Sequence, residues 1–151
     1  MRVVIQKVKK ASVTVDEEII SQIGVGLLVL VGIEDADTQE DIDYLVKKTT
    51  QLRVFDDENG VMNLSVQDIN GDVIVVSQFT LHGNTKKGNR PSYNRAAKPY
   101  FSIPMYEKFI ARMETVLDKK IGAGKFGAEM EVALINNGPV TIIIDSKLKE
   151  F

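Results

Sequence analysis

The chain contains no cysteine and no tryptophan, and it has one histidine. Without cysteine it forms no disulfide and offers no thiolate nucleophile. The shortage of sulfur and imidazole ligands argues against a zinc site, and we expect neither a metal nor a cofactor. The longest apolar stretch, Val25–Ile33, is too short to cross a bilayer, and Met1–Ile5 shows no leader pattern. We therefore expect a cytoplasmic protein that has no membrane partner.

The 151 residues are 44% hydrophobic and 26% charged, which is typical of one globular domain spanning residues 1–151. Thr38 is expected to begin a helix with Asp41 as its capping partner, and a second helix is expected to begin near Pro104. The other periodic segments have the spacing of strands; they are Val3–Val8, Ala11–Val15, Ile19–Ile23, Gly26–Gly32, Arg53–Phe55, Val73–Phe79, and a final hairpin of Met130–Leu134 and Val140–Ile144. This order predicts an α/β fold in which sheets pack against two helices.

Positive charge is concentrated in one segment of an acidic chain whose net charge is −2. Between Leu81 and Tyr100 there is no Asp or Glu, and the basic residues there are Lys86, Lys87, Arg90, Arg95 and Lys98. The segment falls within a predicted loop, Leu81–Ser102, that is unusually long for a compact domain. A local site for a polyanion and a simple solvated loop both fit this pattern.

Two motifs carry most of the chemical information. Ser77–Leu81 ends a predicted buried strand and leads into the basic loop, which is where α/β proteins commonly place their sites. Ser77 and Thr80 supply hydroxyls, Gln78 supplies an amide, and the backbones of Phe79 and Thr80 supply N–H donors. A strand end whose hydroxyls merely cap the backbone remains an alternative for this motif.

The second motif is Asn137-Gly138-Pro139-Val140-Thr141. Asn-Gly usually marks a tight hairpin turn, but a proline directly after it removes a donor and fixes φ. The segment is therefore either a plain hairpin or an unusual backbone that presents its carbonyls outward.

Together these motifs make the chain resemble the D-aminoacyl-tRNA deacylase family in order and spacing, up to about Asp145. Besides Ser77–Leu81 and Asn137–Thr141, the resemblance rests on several shorter motifs spread along the chain. They are Val4–Val8, Ala11–Val15, Gly26–Leu30, Arg53-x-Phe55, Met62–Leu64, Lys87-Gly88-x-Arg90-Pro91-Ser92 and Gly124-x-Phe126.

The resemblance implies a three-layer β/β/α domain with barrel-like sheets, assembled as a homodimer with two active sites at the subunit interface. The substrate would be a tRNA carrying a D-amino acid, or glycine misattached to alanine tRNA, and the enzyme would hydrolyse its ester. Ser77–Leu81 would line the pocket together with Met130. Gly138 and Pro139, joined by a cis bond and preceded by Asn137, would enter the partner's pocket and exclude L-aminoacyl groups. Lys86, Lys87 and Arg90 would grip tRNA phosphates.

Two chemical routes remain open for the hydrolysis. Thr80 is a candidate nucleophile, but the sequence offers it no convincing base. Alternatively, the N–H groups of Phe79 and Thr80 would bind the carbonyl oxygen while the vicinal ribose 2′-hydroxyl activates or positions water, and the resemblance favours this route. Lys7 and Asn137 depart from the family, which commonly has Arg and Asp there, and a lysine cannot reproduce a bidentate guanidinium contact.

Two other classes of function compete with this interpretation. One is a non-catalytic RNA-binding domain that uses the basic loop and stacks bases on aromatic side chains. The other is a general esterase in which His82 activates Ser77 or Thr80. His82 matches no motif of the family, and no carboxylate lies near it in sequence to orient the ring.

Overall fold

The structure is a computed structural model that describes residues Met1–Phe151. Helix α1 is Gln39–Gln51 and helix α2 is Pro99–Leu117, and a 3₁₀ helix covers Phe79–His82. The strands in chain order are β1 (Arg2–Val15), β2 (Glu18–Ile23), β3 (Gly26–Gly32), β4 (Phe55–Asp56), β5 (Met62–Leu64), β6 (Asp72–Ser77), β7 (Gly122–Ala123) and β8 (Glu131–Asp145).

One mixed sheet organises the chain, with the strand order β2-β1-β3-β6-β7 and with β8 paired to β1. The pairs β3/β6 and β6/β7 are parallel, and the pairs that involve β1 are antiparallel. Strands β4 and β5 form a separate small hairpin. The predicted α/β class with two helices is confirmed. No helix is both long and apolar enough to span a membrane.

The sheet is apolar on both faces, which is why β3 has no polar side. The larger core lies between the sheet and the helices and includes Val29, Leu45 and Phe109, all fully buried. The smaller core lies on the opposite face and includes Val13 and Ile74. Because side chains pack on both faces of the sheet, the end of β6 is held in place.

Helix α1 begins as expected. Thr38 is its N-cap, and its N–H donates to the Asp41 carboxylate at 2.8 Å. The predicted start of the second helix is wrong, because α2 begins at Pro99 rather than Pro104. Pro104 lies in the second turn of α2 and has no N–H to donate. Only the carbonyl of Tyr100, which is exposed, therefore loses its hydrogen-bond partner within the helix.

Three strand predictions need correction. The two segments predicted before residue 16 are one strand, β1, which runs straight through the exposed Lys9 and Lys10. Strand β6 ends at Ser77, and Phe79 belongs to the 3₁₀ helix instead. The loop is therefore shorter than predicted, because it runs from residue 83 to residue 98. Two further strands, β5 and β7, were not predicted.

The predicted final hairpin is also wrong. Strand β8 keeps one direction along β1, from the pair Thr14/Glu131 to the pair Arg2/Asp145. Gln6 pairs with Thr141, and Val8 pairs with Asn136. Residues 137–140 therefore stand opposite a single residue of β1, and they leave the ladder as a four-residue bulge. The Asn-Gly-Pro motif marks this bulge and not a turn between two strands.

Candidate active site

A cavity of about 570 Å³ opens where the parallel strands β3 and β6 end. This volume is in the range that holds small-molecule ligands. Its walls are mostly apolar and come from the two strand ends, the loop after the 3₁₀ helix, the start of α2 and the segment before β8. Ser77, Gln78, Phe79 and Met130 line it, whereas Thr80 and Leu81 do not.

The Ser77–Leu81 segment is held by its backbone. Gln78 donates its N–H to the carbonyl of Val31 at 2.8 Å, and Leu81 donates to the carbonyl of Gln78 at 3.2 Å. Phe79 and Thr80 begin the 3₁₀ helix, so their N–H groups have no partner inside it. Neither N–H is a donor in the turn, loop and cap hydrogen bonds of the chain. Two adjacent N–H donors are thus unpaired, one on Phe79, which lines the cavity, and one on Thr80, the residue that follows it.

The Thr80 hydroxyl has a neighbour that is not a base. The side-chain amide of Gln78 donates a hydrogen bond to the Thr80 hydroxyl. An amide nitrogen takes up no proton at neutral pH, so this contact orients the hydroxyl without activating it.

His82 does not serve as a base either. It is 3% exposed, and neither ring nitrogen has a hydrogen-bond partner. Its Nδ1 lies 3.6 Å from the Glu34 carboxylate, which is itself paired with Arg95 at 2.6 Å. The ring therefore packs beneath the loop and touches neither Ser77 nor Thr80 through a hydrogen bond. A general esterase in which His82 activates Ser77 or Thr80 therefore has no base in this structure.

Phe79 presents an aromatic surface at the rim of the cavity. The side chain is 56% exposed, and its ring meets Tyr93 edge-on with 5.0 Å between centroids. Edge-to-face contacts of this kind stabilise an aromatic pair beyond the area that it buries. The contact between Phe79 and Tyr93 holds one wall of the cavity in place, and it involves no hydrogen bond.

Met130 closes the cavity from the segment before β8, and it does so over Gly124. A Cβ on Gly124 would lie 2.6 Å from the Met130 sulfur, so a larger residue there would displace the Met130 side chain. Below this wall the buried Tyr106 hydroxyl donates to the carbonyl of Val75 at 2.7 Å. Burial raises the pKa of Tyr106 to about 12, so the hydroxyl stays protonated and keeps this bond.

The second motif lies outside the cavity. Asn137, Gly138 and Pro139 are all exposed, and none of them lines the cavity of their own chain. The Gly138–Pro139 peptide bond is cis, and Gly138 has a φ of +128°, a conformation that favours glycine. The bulge thus projects from β8, a strand that is hydrogen-bonded on one side only, to β1.

Lys7 stands opposite the bulge. It is 8% exposed, and its ammonium lies 5.7 Å from the ring centroid of Phe55. No hydrogen bond joins its side chain to residues 137–140. Lys7 therefore makes a cation–π contact with Phe55, which belongs to the core between the sheet and the helices.

The basic residues of the loop separate into three groups. Lys86, Lys87 and Arg90 are exposed on a turn closed by mutual backbone hydrogen bonds between Asn84 and Ser92, and they do not line the cavity. Arg95 is neutralised by Glu34. Lys98 lines the cavity itself.

Sequence reasoning missed several residues of the cavity wall. Tyr93, Lys98 and Phe126 line it, but none was singled out as a site residue. Composition marked the basic loop as a whole, and only the fold separates Lys98 from its neighbours. No group of three or more His, Cys, Asp or Glu side chains comes together to hold a metal.

Comparisons with known proteins agree on one family. A family model described as D-Tyr-tRNA(Tyr) deacylase matches residues 4–145. Proteins named D-aminoacyl-tRNA deacylase from Flavobacterium psychrophilum and Parabacteroides distasonis are 63% and 61% identical to the chain over 150 residues. Each of these alignments covers 99% of the chain and 100% of the relative.

Solved structures share the fold over nearly the whole chain. A structure described as c-Myc DNA Unwinding Element Binding Protein is 42% identical and has a TM-score of 0.91, with 97% of this chain and 99% of that one covered. A probable eukaryotic D-amino acid tRNA deacylase has a TM-score of 0.83 at 16% identity, with 95% and 97% covered. At that lower identity the likeness shows the fold alone.

Proposed function

The chain belongs to the D-aminoacyl-tRNA deacylase family of hydrolases, and we propose that the cavity beside Ser77–Phe79 is the site where it cleaves the ester of a D-aminoacyl-tRNA. The observation that carries this assignment is a pair of unpaired backbone N–H donors, one on Phe79, which lines a largely apolar cavity, and one on the adjacent Thr80. Ester hydrolysis develops negative charge on the carbonyl oxygen, and such donors stabilise it.

The hydrolysis then proceeds without a protein nucleophile. The ester carbonyl oxygen accepts hydrogen bonds from the Phe79 and Thr80 backbones, and the ribose 2′-hydroxyl of the substrate positions the attacking water. This route is supported by the environment of Thr80, whose hydroxyl contacts an amide and no base. In this route Ser77 and Gln78 shape the wall next to the carbonyl.

The exposed bulge of β8 supports assembly as a homodimer. Gly138 and Pro139 belong to the site in our proposal, but they do not line the cavity of their own chain. The same strand exposes Ile135, Ile142 and Ile143, with 46%, 36% and 41% of each accessible. An edge strand with such side chains favours burial against another chain, and we propose that the bulge enters the cavity of a second copy.

Chirality is then decided by shape. Carbonyls of Gly138 and Pro139 from the partner occupy the space that an L side chain requires, so that D-aminoacyl and glycyl esters fit and L-aminoacyl esters do not. Glycine attached to alanine tRNA is accordingly a second substrate. Asn137 flanks the pair and offers an amide that can hydrogen-bond, and Met130 limits the cavity on its other side.

The exposed basic turn of the loop is suited to the RNA part of the substrate. Lys86, Lys87 and Arg90 are exposed next to the cavity-lining part of the loop, which supports a role in binding tRNA phosphates. We propose that residues 1–151 act as one domain in the cytoplasm, where aminoacyl-tRNA is found.

The deciding experiment compares D- and L-alanyl forms of one tRNA as substrates of the purified chain. We expect kcat/KM for the D form to be higher by a factor of about 100 or more, which corresponds to about 2.7 kcal/mol. Binding of tRNA without release of either amino acid would favour the RNA-binding alternative and contradict the proposal.

A further inference from the structure

Lys98 is the only charged residue that lines the cavity. Its neighbours in the wall are apolar or neutral, and no carboxylate is among them. A single cation in a lining that carries no negative charge attracts a ligand of opposite charge.

The backbone of Lys98 is fixed even though its side chain is exposed. The preceding residue, Ala97, donates its N–H to the carbonyl of Ile33 at 2.9 Å, which ties the loop to the end of β3. The Lys98 carbonyl accepts from the N–H groups of Phe101 and Ser102 at 3.0 and 2.9 Å, and from the Ser102 hydroxyl at 3.1 Å. The Lys98 backbone, from which the side chain extends, is therefore held at the cavity wall.

The ammonium of Lys98 takes part in none of the ion pairs of the chain. Arg95, three residues earlier, differs because its guanidinium is paired with Glu34. Lys86, Lys87 and Arg90 also have no acidic partner, but they do not line the cavity. Lys98 alone combines a fixed position in the wall with an uncompensated charge.

We propose that Lys98 binds the phosphate that joins the terminal adenosine of the tRNA to the nucleotide before it. This inference rests on the proposed function, since it assumes that the ester carbonyl lies at the Phe79 and Thr80 N–H groups. In an aminoacyl-tRNA the anion closest to the ester is this phosphate. Lys98 acts as a positioning residue, because it holds the terminal nucleotide while the chemistry takes place at the ester.

A carboxylate is the other negative group that a substrate can bring to Lys98. D-aspartyl and D-glutamyl esters carry one on the amino acid itself. The two sources differ in which substrates depend on Lys98: a phosphate contact affects every amino acid equally, whereas a side-chain contact affects the acidic ones only.

The test uses small substrates that differ by one phosphate. The first is 2′(3′)-O-D-alanyl-adenosine, and the second is the same ester with a 5′-phosphate. D-aspartyl versions of both separate the two sources of negative charge. Lys98→Gln removes the cation, Lys98→Arg keeps it, and Lys108→Gln makes the same charge change on an exposed residue of α2, roughly 15 Å further along the helix.

For the unmodified chain we expect the 5′-phosphate to raise kcat/KM about fivefold, the upper end of what an ion pair of an exposed side chain contributes. The gain should come through KM, with kcat unchanged. Lys98→Gln should abolish the preference for the phosphate and leave hydrolysis of the unphosphorylated ester intact. Lys98→Arg should retain most of the preference, and Lys108→Gln should retain all of it.

Three results would overturn the inference while leaving the proposed function in place. They are a phosphate preference that survives Lys98→Gln, a loss of kcat on the unphosphorylated ester, and a defect confined to D-aspartyl substrates. Failure of the unmodified chain to hydrolyse D-alanyl-tRNA would instead overturn the proposed function itself, and it is measured without any variant.

Discussion

The side-chain amide of Gln78 donates a hydrogen bond to the hydroxyl of Thr80, which lies just after the end of β6. An amide cannot remove the proton of this hydroxyl. The same two residues flank Phe79, and the backbone from Gln78 onward turns into the 3₁₀ helix whose first N–H groups remain available. The side chains thus shape the segment, while the backbone supplies the donors.

This arrangement predicts that Thr80→Ala retains most of the deacylase activity, because the variant keeps its backbone N–H. Loss of a nucleophile or general base costs about 10²–10⁴-fold in rate, and we expect a decrease below about tenfold. Single-turnover rates with a D-aminoacyl-tRNA measure the effect. An acyl group found attached to Thr80 by mass spectrometry would establish the covalent route that we reject.

Pro139→Ala tests the basis of chiral selection. The proline ring fixes φ in the exposed bulge, and alanine allows the segment to relax. We expect the ratio of D- to L-aminoacyl-tRNA hydrolysis to fall at least tenfold. The fold of the single chain should be kept, because Pro139 lies outside its core. A variant that folds normally and keeps its full D selectivity would remove the bulge from the selection mechanism.

Neutralising Lys86, Lys87 and Arg90 together should weaken tRNA binding and reduce its dependence on salt. Each lost phosphate contact lowers the slope of log K against log salt concentration by about 0.7–0.9. Titrations at several salt concentrations give the slope directly. The matched control neutralises Lys108, which lies on the exposed side of α2. If the triple variant keeps the slope of the unmodified chain, these residues do not contact the RNA.

The stability of the chain at low pH should depend on Asp41. Burial opposes its ionisation, but hydrogen bonds from Ser146, Lys147 and the Thr38 N–H outweigh that effect and hold the pKa of Asp41 well below its usual 3.8. A lowered pKa contributes stability above the unfolded value, and this contribution is lost as the pH falls from about 4 toward the folded value.

The variant Asp41→Asn should therefore lower the free energy of unfolding at pH 7, by about 1–3 kcal/mol for hydrogen bonds to a charged group. The difference from the unmodified chain should shrink as the pH is lowered below about 4. Urea titrations across that range measure it, with Glu40→Gln as the control on the same helical turn. A difference that stays constant with pH would contradict the assignment.

Much of this molecule was predictable from the sequence because its signals are local. The apolar run of β3 and the cap of α1 at Thr38 depend on neighbouring residues, and both are where the pattern indicates. The Ser77–Phe79 part of the site was predictable for the same reason, since a polar motif ends a buried strand.

The errors arise where distant residues decide the local structure. Asn137-Gly138-Pro139 carries the signal of a hairpin, but the long ladder with β1 keeps β8 in one direction and turns the motif into a bulge. Pro104 carries the signal of a helix start, yet Pro99 serves instead. Lys98 was indistinguishable from the other basic residues until the fold brought α2 and β6 to the same cavity.

The proposed selection between D- and L-aminoacyl esters depends on the entry of Pro139 from one copy into the cavity of another. The chain has no cysteine, so single cysteines can be introduced without background. A mixture of Pro139→Cys and Tyr93→Cys chains, treated with a short bifunctional thiol reagent, should give a cross-linked heterodimer, because Tyr93 lines the cavity. If the active mixture instead yields only uncrosslinked chains, the bulge does not reach the partner's cavity.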